Sequence, residues 1–416
     1  MPQYYVWTIG CQMNKAESER LGGYFEHLGY QLAANADNAD LIVINSCVVR
    51  QNAETRVINK IHSLKALKKS RSGLTVAVTG CLVDSDAERL KETFPQVDYF
   101  FPPGGSPYWL ETEDTVLPVF PRYNTVSSFV PISQGCNNFC SYCIVPYRRG
   151  RERSRPVAEI TAEVREMVRC GVKEITLLGQ NVDSYGKDQP LKPDLATLLT
   201  ELNDIDGLKR IRFLTNHPKD MSVRLIDAVL GLDKVCEQIC LPVQAGDNGI
   251  LKLMKRGYTV EHYRRLVEQI RNKVPSVALS TDIILGFPSE NEEQFQNTVR
   301  LLSDLKFDTV HVATYSIRPG TSASRELDDD VPLNEKKYRL QIIEQLQEKI
   351  AAEINSRLLG SVVEVLIEGK EKGKWQGRTR SGKLVFCQSN GDYWGKLVKN
   401  KIEKTSPWSL QGKIVN

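Results

Sequence analysis

Three thiols fall within eight residues in Cys136-Asn137-Asn138-Phe139-Cys140-Ser141-Tyr142-Cys143, just after a strand-like run, Ser127 to Ser133, and a glycine, Gly135. Thiolates are the soft ligands that iron–sulfur clusters select. At this spacing one short loop wraps one cluster. Three cysteines fill three corners of a four-iron cube and leave one iron open to a small molecule. A zinc knuckle or a disulfide-bonded loop fits less well. A tetrahedral zinc site needs a fourth ligand, and neither His nor Cys follows before Cys170.

The first 120 residues alternate strand and helix patterns. Tyr4–Ile9, Leu41–Asn45 and Leu74–Thr79 read as strands. Ala16–Leu28, with Leu21, Tyr24, Phe25 and Leu28 on one face, and the basic stretch Ala53–Lys69 read as helices. That alternation predicts a parallel sheet in an α/β layer fold. Each strand ends in a cysteine, Cys11, Cys47 and Cys81, separated by 36 and 34 residues. Parallel strand ends lie side by side, and ligands bind outside them. The three thiols are therefore expected to converge as a second triad, with Gly10 and Gly80 letting the backbone turn close to it. The alternative is three separate core cysteines. Pro102, Pro103 and Gly104 begin a turn-rich connector that ends by Arg122.

From residue 123 to 355 the strand before Cys136 is followed by Glu174–Leu178, Arg210–Leu214, Gln238–Val243, Ala278–Leu285 and Val310–Ser316. Amphipathic stretches such as Val157–Cys170, Glu261–Val274 and Glu292–Leu305 lie between them. Six βα units predict a partial TIM-type barrel, whose chemistry sits at the carboxyl ends of its strands. Polar groups follow those ends: Gln180 and Asn181, Asn216 and His217, Gln244, and Arg318, with Asp282 inside the fifth strand. His217 reads as a packed or capped histidine in preference to a base. Gln244 and Arg318 are open to a role facing substrate. Cys170, Cys236, Cys240 and Cys387 read as structural, and Cys236-x3-Cys240 as core in preference to a bridge. Pro146 to Pro156 holds five arginines in eleven residues. The run is either a solvated loop or a phosphate clamp beside the cluster loop.

Leu333–Leu359 reads as a long charged helix stopped by Gly360. Beyond it, Val362–Ile367, Trp375–Thr379, Lys383–Phe386 and Leu397–Glu403 are short strands that suit a small closed barrel. Residues 356–416 carry twelve Lys and Arg against five Asp and Glu, whereas the whole chain is only +4. The positive charge is concentrated here, among Trp375, Tyr393, Trp394 and Trp408, which points to RNA binding. No apolar run is long enough to span a membrane, and no basic leader with an apolar core opens the sequence. Ten cysteines without an export signal suit a reducing, cytoplasmic setting.

Cys-x3-Cys-x2-Cys with Tyr142 before the third cysteine resembles the radical S-adenosylmethionine (SAM) signature. Thr8-Ile9-Gly10-Cys11-Gln12-Met13-Asn14, Ser18-Glu19 and the strand-end cysteines resemble the amino-terminal domain of the methylthiotransferases, and the tail resembles a TRAM domain. Gly10–Asn14, Asn216-His217-Pro218, Leu241-Pro242-Val243-Gln244 and Lys255-Arg256-Gly257-Tyr258-Thr259 are most similar to the MiaB-type branch.

The resemblance implies domains at 1–120, 123–355 and 356–416 and methylthiolation of C2 of N6-isopentenyladenosine at tRNA position 37. It implies two [4Fe–4S] clusters, SAM on the Cys136/Cys140/Cys143 cluster and transferable sulfur on the Cys11/Cys47/Cys81 cluster. Tyr142, Gln180, Asn181 and Asp282 are the expected SAM contacts, with Arg153 or Arg155 as further candidates. The implied partners are the tRNA anticodon loop, an electron donor such as a flavodoxin or ferredoxin, and a sulfur donor. Three other readings stay open: the threonylcarbamoyladenosine branch, the ribosomal-protein (RimO) branch, and a non-catalytic iron–sulfur RNA-binding sensor.

Overall fold

The computed structural model describes residues 1–49, 51–83, 87–110, 125–389 and 391–415. The expected boundary between 120 and 123, with Arg122, lies outside the described residues.

The amino-terminal unit is a five-stranded parallel sheet. Its strands are β1 (Gln3–Thr8), β2 (Gln31–Leu32), β3 (Leu41–Ser46), β4 (Thr75–Gly80) and β5 (Tyr99–Phe100), in the order β2-β1-β3-β4-β5. Helices α1 (Gln12–His27), α2 (Gln51–Ser70) and α3 (Ala87–Thr93) connect them. β3 is buried along its whole length, as a central strand covered on both faces must be. Tyr24 and Phe25 of α1 pack on one face with Tyr4, Leu41 and Val43, and Val57, Ile61 and Leu64 of α2 pack on the other.

The central unit begins with β6 (Ser127–Pro131) and β7 (Ser133–Gln134). The cysteine loop follows, then α4 (Val145–Arg149) and β8 (Arg153–Ser154), which pairs back on β7. Four further units follow in the order α5 (Val157–Arg169), β9 (Glu174–Leu178), α6 (Leu195–Asn203), β10 (Arg210–Phe213), α7 (Val223–Gly231), β11 (Gln238–Cys240), α8 (Asn248–Leu253), α9 (Val260–Lys273) and β12 (Ala278–Leu285). α10 (Glu292–Leu305), β13 (Thr309–Thr314), α11 (Ser322–Glu326) and α12 (Leu333–Ser356) complete it. The six main strands are all parallel, in the orders β10-β9-β6 and β11-β12-β13, and the Ile211↔Val235 bridge joins the two groups. This is the six-unit partial barrel. β11 stops short of the expected Val243, because Pro242 has no N–H to donate and Gln244 turns to φ +74.

The tail is a closed barrel, β14 (Val362–Glu371), β15 (Lys374–Thr379), β16 (Leu384–Gln388), β17 (Leu397–Thr405) and β18 (Leu410–Val415), in the order β14-β15-β16-β18-β17. The sequence reading has four of these strands and lacks β18. Trp375 lies in this barrel's core with Tyr393 against it, so only Trp394 and Trp408 of the four aromatics are strongly exposed. Cys236, Cys240 and Cys387 are buried, whereas Cys170 is exposed at the carboxyl-terminal cap of α5.

The tail docks on the amino ends of the central strands. Arg210 and Arg212 of β10 donate to the carbonyls of Arg378, Thr379 and Arg380, at 2.7 Å each. Lys383 pairs with Asp308 at 2.7 Å and Arg380 with Glu237 at 2.8 Å. Arg212 is buried and also pairs with Glu174 at 3.1 Å. R212A would leave Glu174 and two carbonyls without this partner, so it should cost about 3–5 kcal/mol in denaturant unfolding and speed proteolytic release of the tail. An unchanged unfolding midpoint would contradict this account of the docking.

Candidate functional site

The carboxyl ends of β1, β3 and β4 are in register, with Thr8 opposite Asn45 and Asn45 opposite Thr79. Cys11 caps the amino end of α1, Cys47 follows β3, and Cys81 follows β4, its N–H donating to Ser46 O at 2.8 Å. Gly10 has φ +147, and a Cβ there would stand 2.8 Å from Cys47 Cβ. Only glycine lets the end of β1 come this close to that cysteine. Burial pushes the Cys47 thiol up to about 11, and neighbouring Cys81 and Cys11 add to the shift. Burial also raises Cys81, opposed by the Arg149 guanidinium beside it. The three strand-end cysteines therefore form one neighbourhood, with Cys11 exposed and the other two buried.

The second triad sits in a pinched loop. Gly135 has φ +81, and a Cβ there would strike the Arg151 carbonyl at 2.2 Å. The Cys136 N–H donates to Gly150 O at 3.2 Å, and the β7–β8 pair closes the base. The middle of the loop is tied down by Ser141, whose N–H and hydroxyl donate to Met254 O and Leu253 O. Burial pushes the Cys143 thiol up to about 12, reinforced by Cys140 and Cys136.

Each triad is a set of three neighbouring thiols, and the donor chemistry fits an iron–sulfur cluster. Among the described residues no group of Cys, His, Asp or Glu closes around a single metal ion. A four-iron cube needs its thiolates spread around a larger body.

The segments that carry the two triads pack on each other. Ile144, next to Cys143, belongs to the same apolar cluster as Val48, Cys81, Leu82 and Val83 of the amino-terminal unit. Arg149 of α4 forms a bidentate pair with Glu17 of α1, its longer arm 3.2 Å, both side chains buried. Arg318 donates to Gln51 at 3.0 Å and Glu54 at 3.3 Å on α2, within electrostatic reach of Cys47. Arg318 holds α2 through Nη1, while its buried Nε has no hydrogen-bond partner among the described residues, so its expected role facing substrate stays open. One sequence expectation is corrected, that of the arginine run. The arginine run is not one clamp: Arg149 is buried on Glu17, and Arg155 is held by Glu159, Glu163 and the Pro131 carbonyl. Arg153 is exposed, and Arg151 stacks on Phe139 at 4.5 Å.

Around the mouth of the central barrel, buried polar atoms lack protein partners: Ser133 Oγ, Gln180 Oε1, Asn181 Oδ1, Asn216 Oδ1 and His217 Nε2. Unpaired buried polar atoms are costly unless something else binds them, so this arc suits a polar ligand. Asn181 is half committed, donating to Asp220 at 2.8 Å. Tyr142 packs edge-on to Phe287. The carbonyl of half-buried Asp282 accepts from Gln244 N at 2.9 Å. Burial, with Arg256 beside it, holds His217 down to about 3, so the ring is neutral and a poor base.

Sequence reasoning missed Asp183, which accepts from Asn216 Nδ2 and, at 2.7 Å, from the His217 N–H. Burial raises its carboxyl to about 7. It also missed Arg256, whose guanidinium lies 3.2 Å from Cys140 Sγ.

Known proteins match this architecture. Residues 130–302 match the radical SAM superfamily model, 3–102 the uncharacterized protein family UPF0004, and 356–415 the TRAM domain. A tRNA-2-methylthio-N(6)-dimethylallyladenosine synthase of Dehalococcoides mccartyi (strain CBDB1) is 57% identical over 417 residues, covering 100% of this chain and 99% of its own. One from Herpetosiphon aurantiacus is 47% identical, covering 99% and 97%. Among solved structures, the radical SAM methyltransferase TsrM from Kitasatospora setae covers 95% of this chain and 83% of its own with a TM-score of 0.56. At 13% identity it shows the fold alone.

Removing one partner of a buried pair strands the other charge. R149M should therefore lower stability in urea by about 3–5 kcal/mol, and E17L/R149M should recover most of the loss. Equal stability of R149M and the parent would contradict the clasp. The raised Asp183 pKa gives a second expectation. Its contribution to stability is complete below the unfolded value and is lost as pH rises through about 7. Between pH 4 and 7.5 stability should fall less steeply in D183N than in the parent, read from urea midpoints across that range.

Proposed function

The chain belongs to the tRNA-2-methylthio-N(6)-dimethylallyladenosine synthase family of radical SAM enzymes, and from that premise we propose how its residues divide the work. The enzyme is a tRNA methylthiotransferase. Its reaction is methylthiolation of C2 of N6-isopentenyladenosine at position 37. The C2–H of an adenine ring is neither acidic nor easily attacked, so polar catalysis is a poor route and cofactor chemistry is required.

Cys136, Cys140 and Cys143 would hold the SAM-linked [4Fe–4S] cluster, and Cys11, Cys47 and Cys81 a second one. When bound, these groups supply one-electron chemistry able to break the C2–H bond and a sulfur that can be methylated and transferred. The protein's part is placement. Gln180, Asn181, Tyr142 and Asp282 line the barrel mouth and would orient SAM. The unpaired Gln180 and Asn181 oxygens support that role. Asp183 fixes the Asn216-His217 turn beside them. The packing of Ile144 against the amino-terminal unit and the buried Arg149–Glu17 pair support a reading in which both triads border one cavity. That junction is the observation that carries the two-cluster reading.

The division into residues 1–120, 123–355 and 356–416 follows the same logic, with the basic tail engaging tRNA near the anticodon loop. An electron donor such as a flavodoxin or ferredoxin and a separate sulfur donor complete the partners. A tRNA substrate and ten unpaired cysteines suit the cytoplasm. Among the described residues no helix is long and apolar enough to cross a membrane.

The test is mass spectrometry of position-37 nucleosides from tRNA incubated with anaerobically reconstituted protein, SAM, sulfide and reductant. The parent should make the 2-methylthio derivative of isopentenyladenosine and none from threonylcarbamoyladenosine tRNA. C47S should still cleave SAM while losing the methylthio product. Wild-type product yield from C47S would refute the role given to the amino-terminal triad.

A further inference from the structure

The motif Lys255-Arg256-Gly257-Tyr258 puts a buried guanidinium under the cluster loop. Lys255 and Gly257 both have positive φ, +56 and +73, and the Arg256 N–H donates to Leu251 O at 3.0 Å. This closes the carboxyl end of α8 as a tight turn and points Arg256 inward. The same turn accepts both hydrogen bonds of Ser141, which lies between Cys140 and Cys143. Cluster loop and turn are thus one hydrogen-bonded unit.

The guanidinium of Arg256 is buried. Nε donates to Tyr258 Oη at 2.9 Å and Nη2 to Pro242 O at 2.9 Å. Nη1 donates to Cys140 Sγ at 3.2 Å and reaches Tyr142 Oη at 3.5 Å. Other deeply buried arginines here sit on carboxylates: Arg149 on Glu17, Arg210 on Glu364, Arg212 on Glu174, Arg339 on Glu290. Among the described residues no carboxylate pairs with Arg256. A buried charge without a counter-charge is strongly unfavourable. The group available to it is Cys140 Sγ, which becomes an anion on ligating iron.

We propose that Arg256 is a positioning residue that serves as the built-in counter-cation of the barrel cluster, donating an N–H···S hydrogen bond to Cys140 and so raising the cluster's reduction potential. The inference rests on Cys136, Cys140 and Cys143 holding that cluster. Hydrogen bonds to the sulfurs, net charge and solvent exposure set iron–sulfur potentials. A fixed cation favours the reduced cluster, which carries one more negative charge. Tyr142 shares the guanidinium, so the same contact orients the aromatic ring of the cysteine motif. Only the part of this contact that strengthens on reduction shifts the potential, and a full fixed charge at hydrogen-bond distance from a ligating sulfur should shift a one-electron equilibrium about tenfold.

The test is an EPR-monitored redox titration of the full chain carrying C11S, C47S and C81S, so that one cluster is read, with and without R256Q or R256K. Iron and sulfide content is measured alongside. R256Q should keep its iron and sulfide while its reduced-to-oxidised ratio at any fixed potential falls about tenfold, a negative shift of about 59 mV. R256K keeps the charge but not the planar fork and should fall in between. R256Q with full iron and the parent potential overturns the proposal. If R256Q does not load, R256K decides: full iron at a lowered potential supports the proposal, and full iron at the parent potential overturns it. If neither variant loads, Arg256 is structural and the proposal falls. A parent protein that loads no cluster, or keeps it after C140S, would instead overturn the underlying cysteine assignment.

Discussion

One buried ion pair, Arg149 on Glu17, ties α1 of the amino-terminal sheet to the segment after the barrel's cysteine loop. Burying both charges is expensive, and an apolar pair of similar volume could be as stable. What the pair supplies is register between units. It fixes α1, whose amino end carries Cys11, against the segment just after Cys143. Arg318 repeats the arrangement on α2. Two parallel sheets then present their carboxyl ends to each other, and the glycines beside Cys11, Cys81 and Cys136 let the backbones come close. A radical reaction between two bound groups needs this placement more than it needs extra stability.

The tail occupies the opposite end of the central barrel. α12 connects the two ends. Its 24 residues span about 36 Å at 1.5 Å per residue. Near its start Arg339 holds the loop after β12: it grips Glu290, which accepts from Gly286 N at 2.6 Å, and Phe287 in that loop packs on Tyr142. At its end Asn355 donates to Ser406 O and Pro407 O of the tail. A tRNA held by the tail must therefore reach along the height of the barrel to offer a base at the mouth. Concentrated positive charge on a distant module fits that geometry, since phosphate contacts position nucleic acid without reading it.

Much of this was legible in the sequence because it is local. The strand–helix alternation, the two triads and the closed tail barrel each follow from spacing within a few dozen residues. β18 was missed because Leu410-Gln411-Gly412-Lys413-Ile414-Val415 alternates weakly and carries a glycine. The arginine run misled for a different reason. Composition marks it as basic surface, but Arg149 meets Glu17 across 132 residues and Arg256 meets Cys140 across 116. No periodicity encodes such pairings. Trp375 likewise reads as an exposed stacking platform until the barrel closes over it.

The central claim is that both thiol triads border a single cavity. Two paramagnetic clusters on one cavity interact through their spins. EPR of the fully reduced, doubly loaded protein, compared with the summed spectra of the two single-cluster variants, reads this directly. Broadening or splitting absent from that sum is the predicted result. A spectrum equal to the sum, at full iron occupancy, would contradict it.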